Sequence, residues 1–204
     1  MIAIIDYGVG NLFSLRCSME QVGANVTVTD DPALIREADK LILPGVGAFE
    51  DAAIKLRNSG LDQVIRSEAE AGKPLLGICL GMQLLFEKSF EYGEHTGLGL
   101  LKGSVVPMDG NIPHDLQVPH IGWNALQIHQ SDCPIFKYIQ DGDYVYFVHS
   151  YYADQCGDSL AASTEYGIQL TAAVAKNNIF GCQFHPEKSG SVGLKILKAY
   201  CEME

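Results

Sequence analysis

Apolar positions fall into two regimes along the chain. Up to residue 78, short wholly apolar runs alternate with segments of helical spacing. Residues 2–6, the β-branched 25–29, 40–43 and 75–78 read as strands. Residues 12–22, 32–38, 48–58 and 61–71 read as helices. Strands that are apolar throughout need cover on both faces, so this half predicts a parallel sheet between helices. After Gly97 the pattern changes. Residues 105–108, 124–128, 144–148, 160–164, 171–175 and 179–183 look like strands joined by turns such as Asp141-Gly142-Asp143 and Lys176-Asn177-Asn178. Residues 191–201 close the chain as a helix with Leu194, Leu197 and Cys201 on one face. The predicted fold class is therefore α/β: a mostly parallel central sheet flanked by helices, with an added antiparallel layer. No repeat, low-complexity tract or linker interrupts it, which predicts a single domain over residues 1–204. In open α/β sheets ligands bind beyond the carboxyl ends of the parallel strands.

Composition narrows the functional classes. The chain has 204 residues, 47% hydrophobic and 19% charged, an ordinary globular balance. No apolar run reaches the roughly 18–20 residues of a membrane span, and the N-terminus enters a core strand without a basic leader. A formal net charge of −11 counts against nucleic acid and anionic membranes as partners. The six cysteines are widely spaced, which predicts reduced thiols and a cytoplasmic location.

One cysteine stands apart. Leu75-Leu-Gly77-Ile-Cys79-Leu-Gly81-Met-Gln83 runs from an apolar strand through Gly-x-Cys-x-Gly into an expected amphipathic helix. This is the thiol form of the nucleophile elbow, a tight turn that holds a strained nucleophile above the sheet. Gly77 and Gly81 are needed where the turn folds closely on itself. The free N–H groups at the start of the following helix favour thiolate. Gly-x-Cys-x-Gly alone is a short pattern that also occurs around inert cysteines; its strand-to-helix context gives it meaning.

Phe180-Gly-Cys-Gln-Phe184-His185-Pro186-Glu187 offers a base and its orienting acid. Pro186 biases His185 toward an extended conformation, in which His185 and Glu187 project to one side. His185 would move the thiol proton, and Glu187 would orient and stabilise the imidazolium. Leu43-Pro44-Gly45-Val46-Gly47-Ala48 ends a strand in a glycine-bearing loop. Such a loop can offer the N–H groups of Val46 and Gly47, with that of Leu80 beyond the nucleophile, to an oxyanion. A nucleotide site is the weaker reading, because Gly8-Val-Gly10 and Gly45-Val-Gly47 lack a third glycine and no Walker lysine follows. Taken singly, each segment also fits a bland reading: a buried cysteine, a loop histidine or a plain glycine turn.

Together, Pro44-Gly-Val-Gly47, Gly77-Ile-Cys-Leu-Gly-Met-Gln83 and His185-Pro-Glu187 resemble the class I (triad) glutamine amidotransferases. Asp6-Tyr-Gly-Val-Gly-Asn11, Pro119-His-Ile-Gly-Trp-Asn124, Phe147-Val-His-Ser-Tyr151 and His185-Pro-Glu-Lys-Ser189 resemble the branch that forms the glutaminase subunits of imidazole glycerol phosphate synthase. The resemblance spans essentially the whole chain. It implies the triad Cys79, His185 and Glu187, no cofactor, and glutamine held by Gln83, Glu91, the backbone of Gly47 and that of His149, Ser150 and Tyr151. It implies a heterodimer with a (β/α)₈-barrel cyclase, with Asn11, Trp123 and Lys188 facing that partner. It further implies ammonia passed to the cyclase, which makes imidazole glycerol phosphate and an aminoimidazole-carboxamide ribotide in histidine biosynthesis. The departure from Pro-Gly-Gly at Val46 implies an oxyanion loop that rearranges before catalysis, hence low activity without the partner.

Alternatives remain at this stage. The same glutaminase could serve another synthase, such as that for anthranilate or a surface-polysaccharide sugar. The fold could carry a non-catalytic interaction module, or a cysteine hydrolase of esters or lactones. No metal site is expected: His114, His120 and His129 have no carboxylate or thiolate at ligand spacing and read as surface or interface histidines.

Overall fold

The computed structural model describes residues 1–203, so Glu204 at the end of the expected domain lies outside the described residues. The first half follows the hydrophobic pattern closely: β1 (Ile2–Ile5), α1 (Leu12–Gln21), β2 (Val26–Thr29), α2 (Pro32–Glu37), β3 (Lys40–Leu43), α3 (Phe49–Ser59), α4 (Leu61–Glu70) and β4 (Leu75–Ile78). Local chemistry sets the boundaries. Asp31 caps α2 by accepting from Ala33 N–H at 2.8 Å, with Pro32 in the first turn. Gly60, at φ 73°, ends α3 in the left-handed conformation that glycine adopts without strain.

The rest comprises α5 (Leu80–Leu84), β5 (Phe86–Ser89), β6 (His95–Thr96), β7 (Leu101–Pro107), β8 (His120–Ala125), β9 (Gln127–Ile128), β10 (Tyr144–His149), β11 (Tyr151–Asp154), β12 (Leu160–Glu165), β13 (Gln169–Lys176), β14 (Ile179–Cys182) and α6 (Gly190–Glu202). The main sheet has eight strands in the order β2-β1-β3-β4-β14-β13-β12-β9. It is parallel from β2 to β14 and antiparallel from there to β9. Successive residues of each central strand enter opposite cores, as the two-residue period requires. Ala3, Ile5, Leu41, Leu43 and Leu75 pack with α2, α3 and α4. Ile2, Ile4, Ile42, Leu76 and Ile78 pack with Leu15 of α1 and Ile196, Leu197 and Tyr200 of α6.

The antiparallel strands depart from expectation in placement. Residues 160–182 extend the edge of the parallel sheet, and β14 lies in parallel register beside β4. Separate pairing occurs instead in two smaller sheets, the antiparallel β10-β8 and the mixed β11-β7-β5-β6, in which β5 and β7 run parallel. Alternation along a strand reports which residues are buried, but not which neighbour it pairs with. The expected strand 124–128 divides because Leu126 turns into the core and its N–H bonds to Asp143 O at 2.9 Å. Thus β8 joins β10, whereas β9 joins β12.

Candidate active site

β4 and β14 are neighbours in the sheet, and their carboxyl ends carry Cys79 and the segment 183–187 to the same spot. Cys79 N–H donates to Cys182 O at 2.7 Å and fastens the two strand ends together. Cys79 itself sits at φ 53°, ψ −113°. A non-glycine residue there is strained by about 1–3 kcal/mol and needs its surroundings to hold it. The flanking glycines allow the turn. A Cβ on Gly77 would stand 2.7 Å from Gly81 O and Met82 N, and one on Gly81 would stand 1.8 Å from Leu43 O. The helix that follows is not the amphipathic one expected. α5 has five residues, all buried, because the chain dives beneath the sheet end and emerges as β5.

His185 keeps the extended backbone expected before proline, at φ −99°, ψ 100°. Glu187, however, lies in a 3-10 turn over Pro186–Lys188, not in extended chain. The turn still brings the pair together: His185 Nδ1 donates to Glu187 Oε1 at 2.8 Å. Both side chains are almost wholly buried, at 2% and 3% exposure. The segment is braced by His185 N–H to Tyr146 O at 3.0 Å and by Ser189 Oγ, which donates to His185 O at 2.7 Å.

The electrostatics follow from this geometry. Burial works against a charged His185 ring, but the nearby Cys79 sulfur and the hydrogen-bonded Glu187 carboxylate outweigh it and move the imidazole up to about 9. His185 Nε2 and Glu187 Oε2 are buried and lack close partners among the described residues. The sulfur thus acts on the ring without a closed hydrogen bond. A thiol, an imidazole that holds a proton at neutral pH and a buried carboxylate form the inventory for thiolate attack followed by protonation of a leaving amine.

Beside the thiol, Tyr7 OH donates to Pro44 O at 2.7 Å and anchors the Pro44–Ala48 loop. Gly47 lies at φ 94° and the Val46 side chain is exposed. Among the described residues no protein acceptor takes the N–H groups of Val46, Gly47 or Leu80. Just beyond the loop, Glu91 Oε2 accepts from Phe49 N–H at 2.6 Å, so this carboxylate also caps α3.

Val46, Gly47, Cys79, Leu80, Glu91 and His185 line one cleft of about 680 Å³, together with Gln83, His149, Ser150, Tyr151 and Lys188, and Glu187 is not part of its lining. Gln83 is buried, and its Nε2 donates to Tyr151 O at 3.1 Å and to Gln183 Oε1 at 3.0 Å. Asn11 stands at the start of α1, which packs on the Pro186–Lys188 turn. Trp123, 54% exposed, packs edge-on to Tyr146 of β10, which also abuts that turn. Asn11, Trp123 and Lys188 therefore sit on elements gathered around the histidine turn.

His120 corrects the surface-histidine expectation. It is buried between Phe147 and Tyr166, with ring centroids at 4.9 and 4.1 Å. Its Nδ1 meets His149 Nε2 at 3.2 Å, and His149 Nδ1 donates to Tyr151 O at 2.9 Å. Burial lowers His120 to about 4 and His149 to about 3, so both are neutral at pH 7. Residue-by-residue reading missed Tyr7 and Gln183. Gln183 lies two positions before His185 in extended chain, so the two-residue period already puts both on one side.

The fold and this cleft define a class. The glutamine amidotransferase class-I family matches residues 3–200, and the chain belongs to that family. Within it, the chain is 53% identical to an imidazole glycerol phosphate synthase subunit HisH of Caldanaerobacter subterraneus subsp. tengcongensis, over 100% of this chain and 98% of that one. It is 48% identical to the HisH subunit of Bacillus subtilis, over 100% and 96% of the two chains. Among solved structures, a glutamine amidotransferase superposes with a TM-score of 0.75 at 17% identity, covering 98% of this chain and 99% of that one. A PurLQS structure from Thermotoga maritima does so at 0.76 and 21%, covering 98% and 96%. No helix among the described residues is long and apolar enough to cross a membrane.

Proposed function

We propose that this chain is the cytoplasmic glutaminase subunit of imidazole glycerol phosphate synthase, acting as one domain beside a (β/α)₈-barrel cyclase. Full-length identity of about half to HisH subunits supports the assignment. The observation that carries the chemistry is the buried Glu187–His185 pair, whose ring is raised to about 9 beside Cys79.

In this reading Cys79 passes its thiol proton to His185. Cys79 thiolate attacks the side-chain amide carbon of glutamine, and the C=O becomes an oxyanion held by the N–H groups of Val46, Gly47 and Leu80. His185 gives its proton to the amide nitrogen, the C–N bond breaks and ammonia leaves. Water, deprotonated by His185, then cleaves the γ-glutamyl thioester to give glutamate and free thiol. Gln83, Glu91 and the backbone of Gly47 and His149–Tyr151 hold the substrate. Asn11, Trp123 and Lys188 face the cyclase, which receives ammonia before bulk water protonates it.

The test is glutamate release by the chain with and without a barrel cyclase. Activity that is low alone, rises strongly with the cyclase and vanishes in Cys79→Ala is the expected result. Glutaminase that survives Cys79→Ala would reject the nucleophile. Failure both to bind the cyclase and to rescue a histidine auxotroph would reject the assignment to this synthase.

A further inference from the structure

We propose that Gln183 is a positioning residue for the nucleophile: its side-chain amide donates a hydrogen bond to Cys79 and holds the sulfur in its thiolate form. The inference rests on the reading of Cys79 as nucleophile. Gln183 is fully buried, and its Nε2 lies 3.8 Å from Cys79 Sγ.

The orientation of the amide is dictated from outside the site. Tyr151 O is a backbone carbonyl and only accepts hydrogen bonds. It therefore faces the NH₂ end of Gln83, which donates to it at 3.1 Å. The second hydrogen of that NH₂ points to the other carboxamide, at 3.0 Å, and only the oxygen of Gln183 can accept it. Gln183 thus has one remaining polar group, its own NH₂, and that group faces the sulfur. The chain Tyr151 O, Gln83, Gln183, Cys79 Sγ carries a fixed donor direction from the substrate loop to the thiol.

Position along the strand supports the same role. Gln183 N–H bonds to Ala172 O at 2.8 Å, so the residue is held where β13 and β14 end their pairing. Gln183 and His185 point to one side of the extended segment, while Phe184 between them packs against Phe147 at 5.8 Å. The sulfur is therefore approached by two groups from one segment, a ring that holds its proton and an amide that cannot release one. An N–H aimed at a buried sulfur favours the anion over the neutral thiol. During attack and thioester breakdown the amide keeps its protons.

The experiment measures alkylation of Cys79 by iodoacetamide against pH in the full chain, read by peptide mass spectrometry. Cys133, Cys156 and Cys182 are buried and report folding in the same sample. In Gln183→Met the donor is absent; the rate at pH 7 is expected to fall about tenfold and the profile to move up by about one pH unit. Gln183→Glu puts a carboxylate oxygen where the donor was and is expected to fall further than Met. That order is not the one a packing role alone would give. If the buried thiols label, the variant has lost its fold and Gln83→Met decides instead, because freeing the Gln183 amide to rotate should slow alkylation in the same direction. Rates within twofold of wild type in folded variants overturn the proposal. Glutamate release retained by Cys79→Ala would instead overturn the underlying nucleophile reading, which separates the two failures.

Discussion

Replacing Glu187 by glutamine changes one charge and almost no volume. His185 is held at about 9 against an ordinary 6.5, a difference equivalent to about 3 kcal/mol in favour of imidazolium. Burial opposes that preference, and Cys79 and Glu187 together create it. Removing the carboxylate charge 2.8 Å from Nδ1 is expected to lower the ring by roughly 1–3 pH units. Glutamine also accepts less strongly from Nδ1, so the tautomer that aims Nε2 at sulfur is no longer enforced. Loss of the carboxylate from such a triad lowers kcat by roughly 10⁴-fold. Stability should fall as well, because Glu187 helps hold the ring protonated and removing one member of a buried pair leaves the other without its partner. Melting temperature at pH 7 is therefore expected to drop as activity collapses. Because the folded pKa lies above the unfolded one, the protonated ring stabilises the fold fully below pH 6.5, and that contribution disappears as pH climbs through about 9. Glutamate release with the cyclase, NMR titration of His185 and thermal melts on the same preparations test this. Activity within threefold of wild type, or a ring that still titrates near 9, would refute the assignment of Glu187.

Three further outcomes are expected. Gly81→Ala drives a Cβ into Leu43 O and should remove about 3 kcal/mol or more of stability along with activity; a wild-type urea midpoint would contradict the steric account. His120 and His149, at about 4 and 3 when folded and 6.5 when unfolded, contribute stability that is present above pH 6.5 and lost as pH falls. Each should remove about 2 kcal/mol by pH 5, and His120→Gln should lose correspondingly less than wild type in urea melts at pH 7 and 5; equal losses would rule this out. Glu91→Ala removes the acceptor for Phe49 N–H and should loosen the start of α3, at about 1–2 kcal/mol, with faster amide exchange near residues 46–49 and a higher KM for glutamine; Glu91→Gln, which keeps an acceptor, should fall between.

Much of the site was legible because its parts are local. Gly77-Ile-Cys79-Leu-Gly81 encodes its own turn, since the two glycines relieve collisions that any side chain would make within a few residues or against the adjoining strand. His185-Pro-Glu187 encodes its own contact, although the chain makes it through a 3-10 turn instead of an extended stretch. The histidine pair at 120 and 149 was illegible. Nothing near either residue tells of the partner ring or of the aromatic stack that buries it.

The sequence by itself determined the elements of the first half and the two faces of each central strand, and it singled out Cys79, His185 and Glu187 as the candidate thiol, base and acid. These depend on periodicities of two and 3.6 residues and on steric rules within a few residues. Only the tertiary structure decided that β14 lies beside β4, and so that residues 79 and 185, more than a hundred positions apart, share one floor. It also decided that the later strands lengthen the main sheet, and that Gln183 looks at the sulfur with its donor end. Strand pairing and amide orientation are settled by which distant groups still need a partner once the core has closed, and a linear pattern does not carry that information.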